Sequence, residues 1–326
     1  MLDENGEEKE FSFYDSEKIG EGGMAEVYEV AYFDAEGRLQ FTGCKRGRMQ
    51  KTTLENDEGE YTVERRQRLV SNEVKVARKF MELNRGEEKM QHTMRYRAVA
   101  VDGKYIFLDL YTYQAPDGTT YQGELLALTE NPKIPNEALH RVLLGGAKSL
   151  IELEKKHQIQ PDFKLGNVVI AQGADGPTGM QIDLGATISR EEFLQVNIGL
   201  NMNLPAKEAP AGMLYTEGYY LPSLHRSMKK GMLPAEKQHT FSFGVALKAL
   251  LTGKGSVINL DMNTGKYTFI EQDWNNQARP LPSPPYAEDA NKKLLKLAEE
   301  CTSQDSYIPM TEVAERYEAI LNDKNS

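Results

Sequence analysis

Asp162, Lys164 and Asn167 stand at i, i+2 and i+5 in the run Asp-Phe-Lys-Leu-Gly-Asn, and Asp183 and Gly185 follow in Ile-Asp-Leu-Gly. Carboxylates and a side-chain amide are hard oxygen ligands of the kind Mg²⁺ takes, one or two of them beside phosphate oxygens. A further carboxylate at the same place can orient a hydroxyl nucleophile. Apolar residues flank both runs (Val168, Val169, Ile170 and Ile182), so two polar turns would meet at one edge of a small hairpin. Such a set would grip a divalent metal with the phosphates it carries and present a hydroxyl to them. Taken singly, either run reads equally well as a polar turn of a globular domain. The argument therefore rests on whether other phosphate-handling groups appear in order.

Upstream, strand patterns over residues 11–19, 26–33 and 39–45 enclose the loop Ile19-Gly20-Glu21-Gly22-Gly23-Met24-Ala25, with a turn at 34–37. Glycines between paired strands let backbone N–H groups approach phosphate closely. Lys45 lies on the third strand; alone it would be a solvated edge lysine. Its expected partner is a helical glutamate, Glu64 or Glu73. Glu73 is chosen because Val76, Phe80 and Leu83 behind it fall on one helical face. Residues 46–60 then become a surface insertion. Strands at 95–101 and 105–111 join through Asp102-Gly103.

Pro135-Asn136-Glu137 opens an amphipathic helix carrying Leu139, Val142, Leu143, Ala147, Leu150 and Leu153 to about residue 157, which delivers the chain to Asp162. A turn over 172–179 precedes Asp183. Residues 186–221 show no clear period. A buried helix over 241–252 ends at Gly253, a hairpin spans 256–270, and helices follow near 288–301 and 311–321.

These pieces, in this order, resemble the eukaryotic-type protein kinase family. Asp162-x-Lys164-x-x-Asn167 is similar to its catalytic loop and Asp183-Leu184-Gly185 to its metal-binding tripeptide. The run Gly-Glu-Gly-Gly-Met-Ala-Glu-Val-Tyr especially resembles bacterial Ser/Thr kinases, with Ala25 in place of the third glycine. The resemblance implies an α+β, bilobal protein-kinase-like fold. Residues 1–10 would be an acidic tail, 11–110 a small antiparallel β lobe that binds nucleotide, and 111–326 a larger, mainly helical catalytic lobe, with a hinge near 109–112.

The implied activity is ATP-dependent transfer of the γ-phosphoryl group to Ser or Thr hydroxyls of a protein. Alternatives on the same fold are a nucleotide-binding pseudokinase or scaffold and a small-molecule kinase. In the implied roles Asp162 orients the acceptor hydroxyl and Lys164 steadies the γ-phosphate. Lys45, held by Glu73, pairs with the α/β-phosphates, and Asn167 and Asp183 hold Mg²⁺, or Mn²⁺ in its place. Gly20, Gly22, Gly23, Val27, Asp109, Tyr111, Glu124 and Val169 would contact the nucleotide, with Gly43 beside Val27 and Val169 around adenine. Glu124, in Gln-Gly-Glu-Leu, reads as a ribose ligand or as a plain exposed glutamate.

Departures from the family are Gln160-Pro161 before Asp162, His239 for an aspartate, and Ser223 for a glutamate. His239 is also read as a satisfied core histidine, like His92, His140, His157 and His225. Pro161 removes the arginine that would pair with a phosphorylated activation segment. Thr187, Ser189 and Thr216 are therefore expected to carry no required phosphate.

The chain is 326 residues long, enough for one large domain or two lobes, and its net charge of -10 argues against nucleic acid or an anionic membrane as a general partner. Its two cysteines, Cys44 and Cys301, give no disulfide framework. No apolar run reaches the roughly 18 residues of a membrane helix, and the acidic N-terminus is no signal peptide. The expected location is cytoplasmic; delivery into a host cell is compatible with the same features. Expected partners are ATP, a protein substrate, and a regulatory protein at the activation segment or the 256–270 hairpin.

Overall fold

Val30 and Cys44 lie on neighbouring strands with no exposed surface, and the elements that close over them form the first part of the molecule. The computed structural model describes residues 2–3, 12–21, 25–34, 37–47, 49–56, 59–66, 71–85, 89–195, 219–220, 222–261, 266–273, 277–281 and 285–323. Within these, only the backbone is described at 2–3, 15–16, 49–56, 59–66, 71–72, 222–223, 225–226, 255–261, 266–273 and 285–288. The fold is α+β. The chain divides into two units, Met1–Lys89 with Met94–Leu110, and Met90–Thr93 with Tyr111–Ser326.

In the first unit the strands are β1 (Leu2–Asp3), β2 (Tyr14–Glu21), β3 (Ala25–Phe33), β4 (Leu39–Gly47), β5 (Met49–Asn56) and β6 (Gly59–Arg66). They are followed by helix α1 (Ser71–Leu83) and strands β7 (Tyr96–Val99) and β8 (Tyr105–Leu108). An antiparallel six-stranded sheet runs in the order β1-β7-β8-β4-β3-β2. Val30, Cys44, Ala98 and Phe107 form its core, and Phe13 meets Tyr105 and Phe107 edge to face at 5.7 and 5.2 Å. Helix α1 buries Val76, Ala77, Phe80 and Met81, with Phe80 edge-on to Tyr96.

Two expectations change here. The stretch 1–10 is not all tail, because Leu2 and Asp3 pair with Val99 and Ala98. Residues 46–60 are not simply an insertion: β4 runs on to Gly47, and β5 pairs with β6 from Met49↔Arg66 to Asn56↔Gly59. Thr52, Thr53, Leu54, Tyr61, Thr62 and Val63 supply the β-branched and aromatic residues of a strand pair, which the interspersed charges conceal.

The second unit starts with strands β9 (Tyr113–Gln114) and β10 (Thr120–Tyr121), the short α2 (Leu125–Leu128), the long α3 (Asn136–Lys155) and β11 (Gln158–Ile159). Hairpin β12 (Val168–Gly173) and β13 (Gly176–Gln181) follows, then β14 (Ile188–Ser189), α4 (Arg190–Gln195), α5 (Pro222–Lys229) and α6 (Lys237–Thr252). Hairpin β15 (Lys254–Asp261) and β16 (Lys266–Asp273) and helices α7 (Pro285–Thr302) and α8 (Met310–Asn322) complete it. Every residue of α6 is buried except Lys248 and Thr252, and Gly253 ends it with φ 69°. The expected turn over 172–179 shrinks to residues 174–175, because β12 and β13 stay paired out to Gly173↔Gly176. Its glycines mislead: Gly179 is a strand residue that lies against α3. A Cβ on Gly179 would overlap the carbonyl oxygen of Val142, and one on Gly145 would overlap the backbone of Gly179.

His140 is buried on α3. Its Nε2 faces the carbonyl oxygen of Arg279 at 2.9 Å, so that nitrogen carries the proton and Nδ1 accepts from Tyr317 Oη at 2.8 Å. His157, in contrast, is exposed and left-handed (φ 53°) just past the end of α3, not a core residue.

Two outcomes are expected. Gly179→Ala should cost about 3 kcal/mol or more in urea unfolding, the upper range for overpacking, because backbone must move; an equal midpoint would remove the close approach from the account. Burial pushes the His140 imidazole down from 6.5 to about 4. Between those values the unfolded chain binds a proton that the folded one does not. Stability is therefore lost as pH falls from about 6.5 to about 4, by about 3 kcal/mol at most. Unfolding midpoints of His140→Gln should fall less steeply over that range than those of the parent.

Candidate functional site

After β11 the chain turns at Pro161 and Asp162. Phe163 and Leu165 are buried, and Asp162 and Lys164 are half-buried. A short 3-10 turn, Leu165–Asn167, then brings Asn167 back towards Asp162. Asn167 Nδ2 donates to the Asp162 carbonyl at 2.7 Å and to its Oδ2 at 3.2 Å, and Lys164 Nζ donates to the same Oδ2 at 3.0 Å. The i, i+2, i+5 spacing thus closes a polar cluster around one carboxylate.

Asp183 reaches the same region by backbone links. Ile182 N–H donates to the Asn167 carbonyl at 2.8 Å, and the Gln160 side-chain amide donates to the Asp183 carbonyl at 3.2 Å. Asp183 itself is left-handed (φ 53°, ψ 57°), an uncommon conformation for a residue other than glycine, and its side chain is exposed.

Glu124 bridges Val169 by backbone pairing, and its Oε2 would lie 3.6 Å from a Cβ placed on Gly166. Although much of Glu124 is exposed, desolvation raises its carboxyl above the usual range; the Asp183 charge adds to this and Lys164 opposes it. Lys164 thus bonds Asp162 directly and acts on Glu124, which also feels the charge of Asp183. Asn167, through its amide oxygen, and Asp183 are oxygen donors of the right kind for Mg²⁺. Among the described residues no cluster of three or more His, Cys, Asp and Glu forms a metal cage. A two-ligand site completed by phosphate and water suits Mg²⁺ better than a cage.

The first unit holds the other predicted residues. Strand register sets Gly20 opposite Val27, Val27 opposite Lys45, and Lys45 opposite Ile106, one row across four strands. Lys45 Nζ is ion-paired with Glu73 on α1, both side chains more than four-fifths buried. Glu64 lies on β6, its backbone opposite Lys51 and its side chain outside the description. Gly22, Gly23 and Thr216 are outside the described residues, as is the side chain of Ser223.

A Cβ on Gly43 would come within 2.6 Å of Leu108 Cδ1 and 3.1 Å of Leu110 Cδ2, so those leucines fill the space beside Gly43. Asp109 pairs with Arg97, and its N–H donates to the Arg95 carbonyl at 3.0 Å. Tyr111, half-buried, begins the second unit.

Three further residues support the polar turns: Gln160 and His239, noted above only as departures, and Tyr219. Gln160 Oε1 accepts from Asp162 N–H at 3.3 Å while its amide holds Asp183. His239 accepts the Gln160 N–H at 2.8 Å. Tyr219 accepts from the Leu165 N–H, and burial with the nearby Asp162 charge raises its phenol well above the ordinary range. Thr187 is buried, and Ser189 forms a capping box with Glu192, readable from Ser-x-x-Glu, so neither hydroxyl is freely presented. No helix of the described residues is long and apolar enough to cross a membrane. A scan against protein-family models finds no match, and no curated protein matches the chain.

If the Lys45–Glu73 pair positions phosphate, Glu73→Gln should lower nucleotide-dependent thermal stabilisation and turnover as much as Lys45→Met, and Glu64→Gln should change neither. The reverse ranking in a melting titration with Mg·ATP would reassign the partner.

Proposed function

We propose that this chain is an ATP-dependent protein kinase of kinase-like bilobal architecture, transferring the γ-phosphoryl group of ATP to a Ser or Thr hydroxyl of a protein. The observation that carries the reading is Asp162 bound by both Lys164 and Asn167, beside an exposed, left-handed Asp183 whose charge is felt at Glu124.

In the reaction, the bond between the γ-phosphorus and the bridging oxygen of ATP breaks and ADP leaves. The acceptor oxygen forms the new phosphate ester, and its proton passes to Asp162. Asp162 orients that hydroxyl; Lys164, one extended step away, carries positive charge to the transferring phosphoryl group. Asn167 and Asp183 would hold Mg²⁺, which when bound neutralises charge on the phosphate oxygens. The first unit contributes Lys45, kept in place by Glu73, for the remaining phosphates. Positioning and electrostatics supply the rate. A cytoplasmic location fits a reaction that consumes ATP.

A second reading, a nucleotide-binding scaffold without turnover, is favoured by Pro161, which offers no cation beside Asp162. Against it, His239 still bonds the loop at Gln160.

The test is incubation of the protein with γ-labelled ATP, Mg²⁺ and a generic basic protein. Label in either chain supports the kinase; Mg·ATP-dependent melting without label supports the scaffold. Asp162→Asn should spare Mg·ATP binding and lower turnover by about 10²–10⁴-fold, the span for a positioned acid or base. Asp183→Asn should weaken Mg·ATP binding itself. Near-parental phosphorylation by Asp162→Asn would overturn the role assigned to it.

A further inference from the structure

Gln160 is wholly buried, and each end of its side chain bonds a different polar turn. Its Oε1 accepts from the Asp162 N–H at 3.3 Å, and its Nε2 donates to the carbonyl of Asp183 at 3.2 Å. A primary amide is both acceptor and donor, so one side chain can serve an N–H and a C=O that lie 21 residues apart in the chain. An acid offers no donor when ionised, and an apolar isostere offers neither.

The backbone of Gln160 is fixed in turn. Its N–H donates to Nε2 of the buried His239 at 2.8 Å, so the proton of that imidazole sits on Nδ1, which faces Glu154 Oε1 at 3.2 Å. Glu154 is on α3 and His239 on α6, two long helices of the second unit. A chain of hydrogen bonds therefore runs from a carboxylate on one helix, through an imidazole on the other, to the residue that spans both turns.

We infer that Gln160 is a positioning residue that sets Asp162 and Asp183 in register with each other, held from behind by His239 and Glu154. The inference rests on the kinase reading for its effect on turnover, but not for its effect on the turns themselves. A misplacement of about 1 Å between reacting groups can cost on the order of 10²-fold in rate. The two turns are also joined by the Ile182 N–H to the Asn167 carbonyl.

The experiment compares Gln160→Met, which keeps the volume and loses both bonds, with Gln160→Glu, which keeps an acceptor for Asp162 and sets a carboxylate against the Asp183 carbonyl. Amide hydrogen exchange and Mg²⁺-dependent stabilisation by ADP are read beside turnover. Gln160→Met should speed exchange at the Asp162 amide by tenfold or more and lower kcat at least tenfold. Gln160→Glu should retain protection at Asp162 yet lose most of the Mg²⁺-dependent stabilisation, raising the nucleotide KM more than it lowers kcat. A residue that only fills space would leave both the exchange and the kcat-against-KM split unmoved.

Should Gln160→Met not fold, Gln160→Glu decides, with His239→Leu expected to speed exchange at Gln160 and to lower kcat. Parental exchange at Asp162 and parental Mg²⁺ dependence in the folded variants would overturn the inference. If the parent protein transfers no label, the kinase reading fails, and the exchange and ADP measurements still decide whether Gln160 couples the turns.

Discussion

The second unit depends on helix α3 and strand β13 touching backbone to backbone. Gly145 and Gly179 meet with no room for a Cβ on either, and Gly146 leaves space for Phe163 and Val168, whose atoms would come within about 3 Å of an added Cβ. Glycine inside a helix costs about 1 kcal/mol relative to alanine, so two in succession signal a compensating contact. That contact seats the hairpin. Ser149, one turn along α3, donates to Gln181 at 2.5 Å, and Glu152 accepts from the Gln91 and His92 N–H groups and from Thr93 Oγ1. Residues 90–93 thereby join the second unit although the chain around them belongs to the first. With Phe163 buried against Gly146, the residues on either side of it, Asp162 and Lys164, stay only half-buried. Their placement is a consequence of packing before it is one of charge.

Charge then refines the arrangement. Lys45 with Glu73 is a largely buried pair, for which removal of one partner leaves an uncompensated charge, an effect of about 3–5 kcal/mol in buried sites. The pair is therefore a device for holding an ammonium at a fixed point rather than a source of net stability. The cluster in the second unit differs: Lys164 bonds Asp162 directly, and the Glu124 carboxyl is raised first by desolvation, with the Asp183 charge adding to this and Lys164 opposing it.

Periodicity made much of this visible in the sequence. The apolar face of α3 (Leu139, Val142, Leu143, Ala147, Leu150 and Leu153) is buried as its spacing requires, the α6 stretch is buried, and Gly253 closes it. Glu73 could be preferred to Glu64 because Val76 and Phe80 marked a helix. What stayed hidden has physical reasons. Gly179 looked like turn composition because a glycine required by tertiary contact is written with the same letter as one required by a bend. The β5–β6 pair was masked by charges on residues whose backbone, not hydropathy, makes the strand. Gly43 carried no sign that Leu108 and Leu110 lean over it. Gln160 stood out only as a departure from the pattern, since an uncharged amide has value through the two partners the fold brings to it.

The departures from the kinase pattern make sense together when donors and acceptors are counted. Pro161 has no N–H, so the loop between Ile159 and Phe163 offers only the N–H groups of Gln160 and Asp162 for bonds behind the site. The first is taken by His239 Nε2 and the second by the side chain of Gln160. An imidazole with one accepting nitrogen satisfies the single donor left to it; an aspartate at position 239 would have brought more lone pairs than the loop has protons, buried without use. The negative charge an aspartate would have supplied is present one step back, on Glu154, across the Nδ1 bond. Pro161 and His239 are thus a matched pair, and substituting either alone would leave a donor or an acceptor orphaned in a wholly buried place.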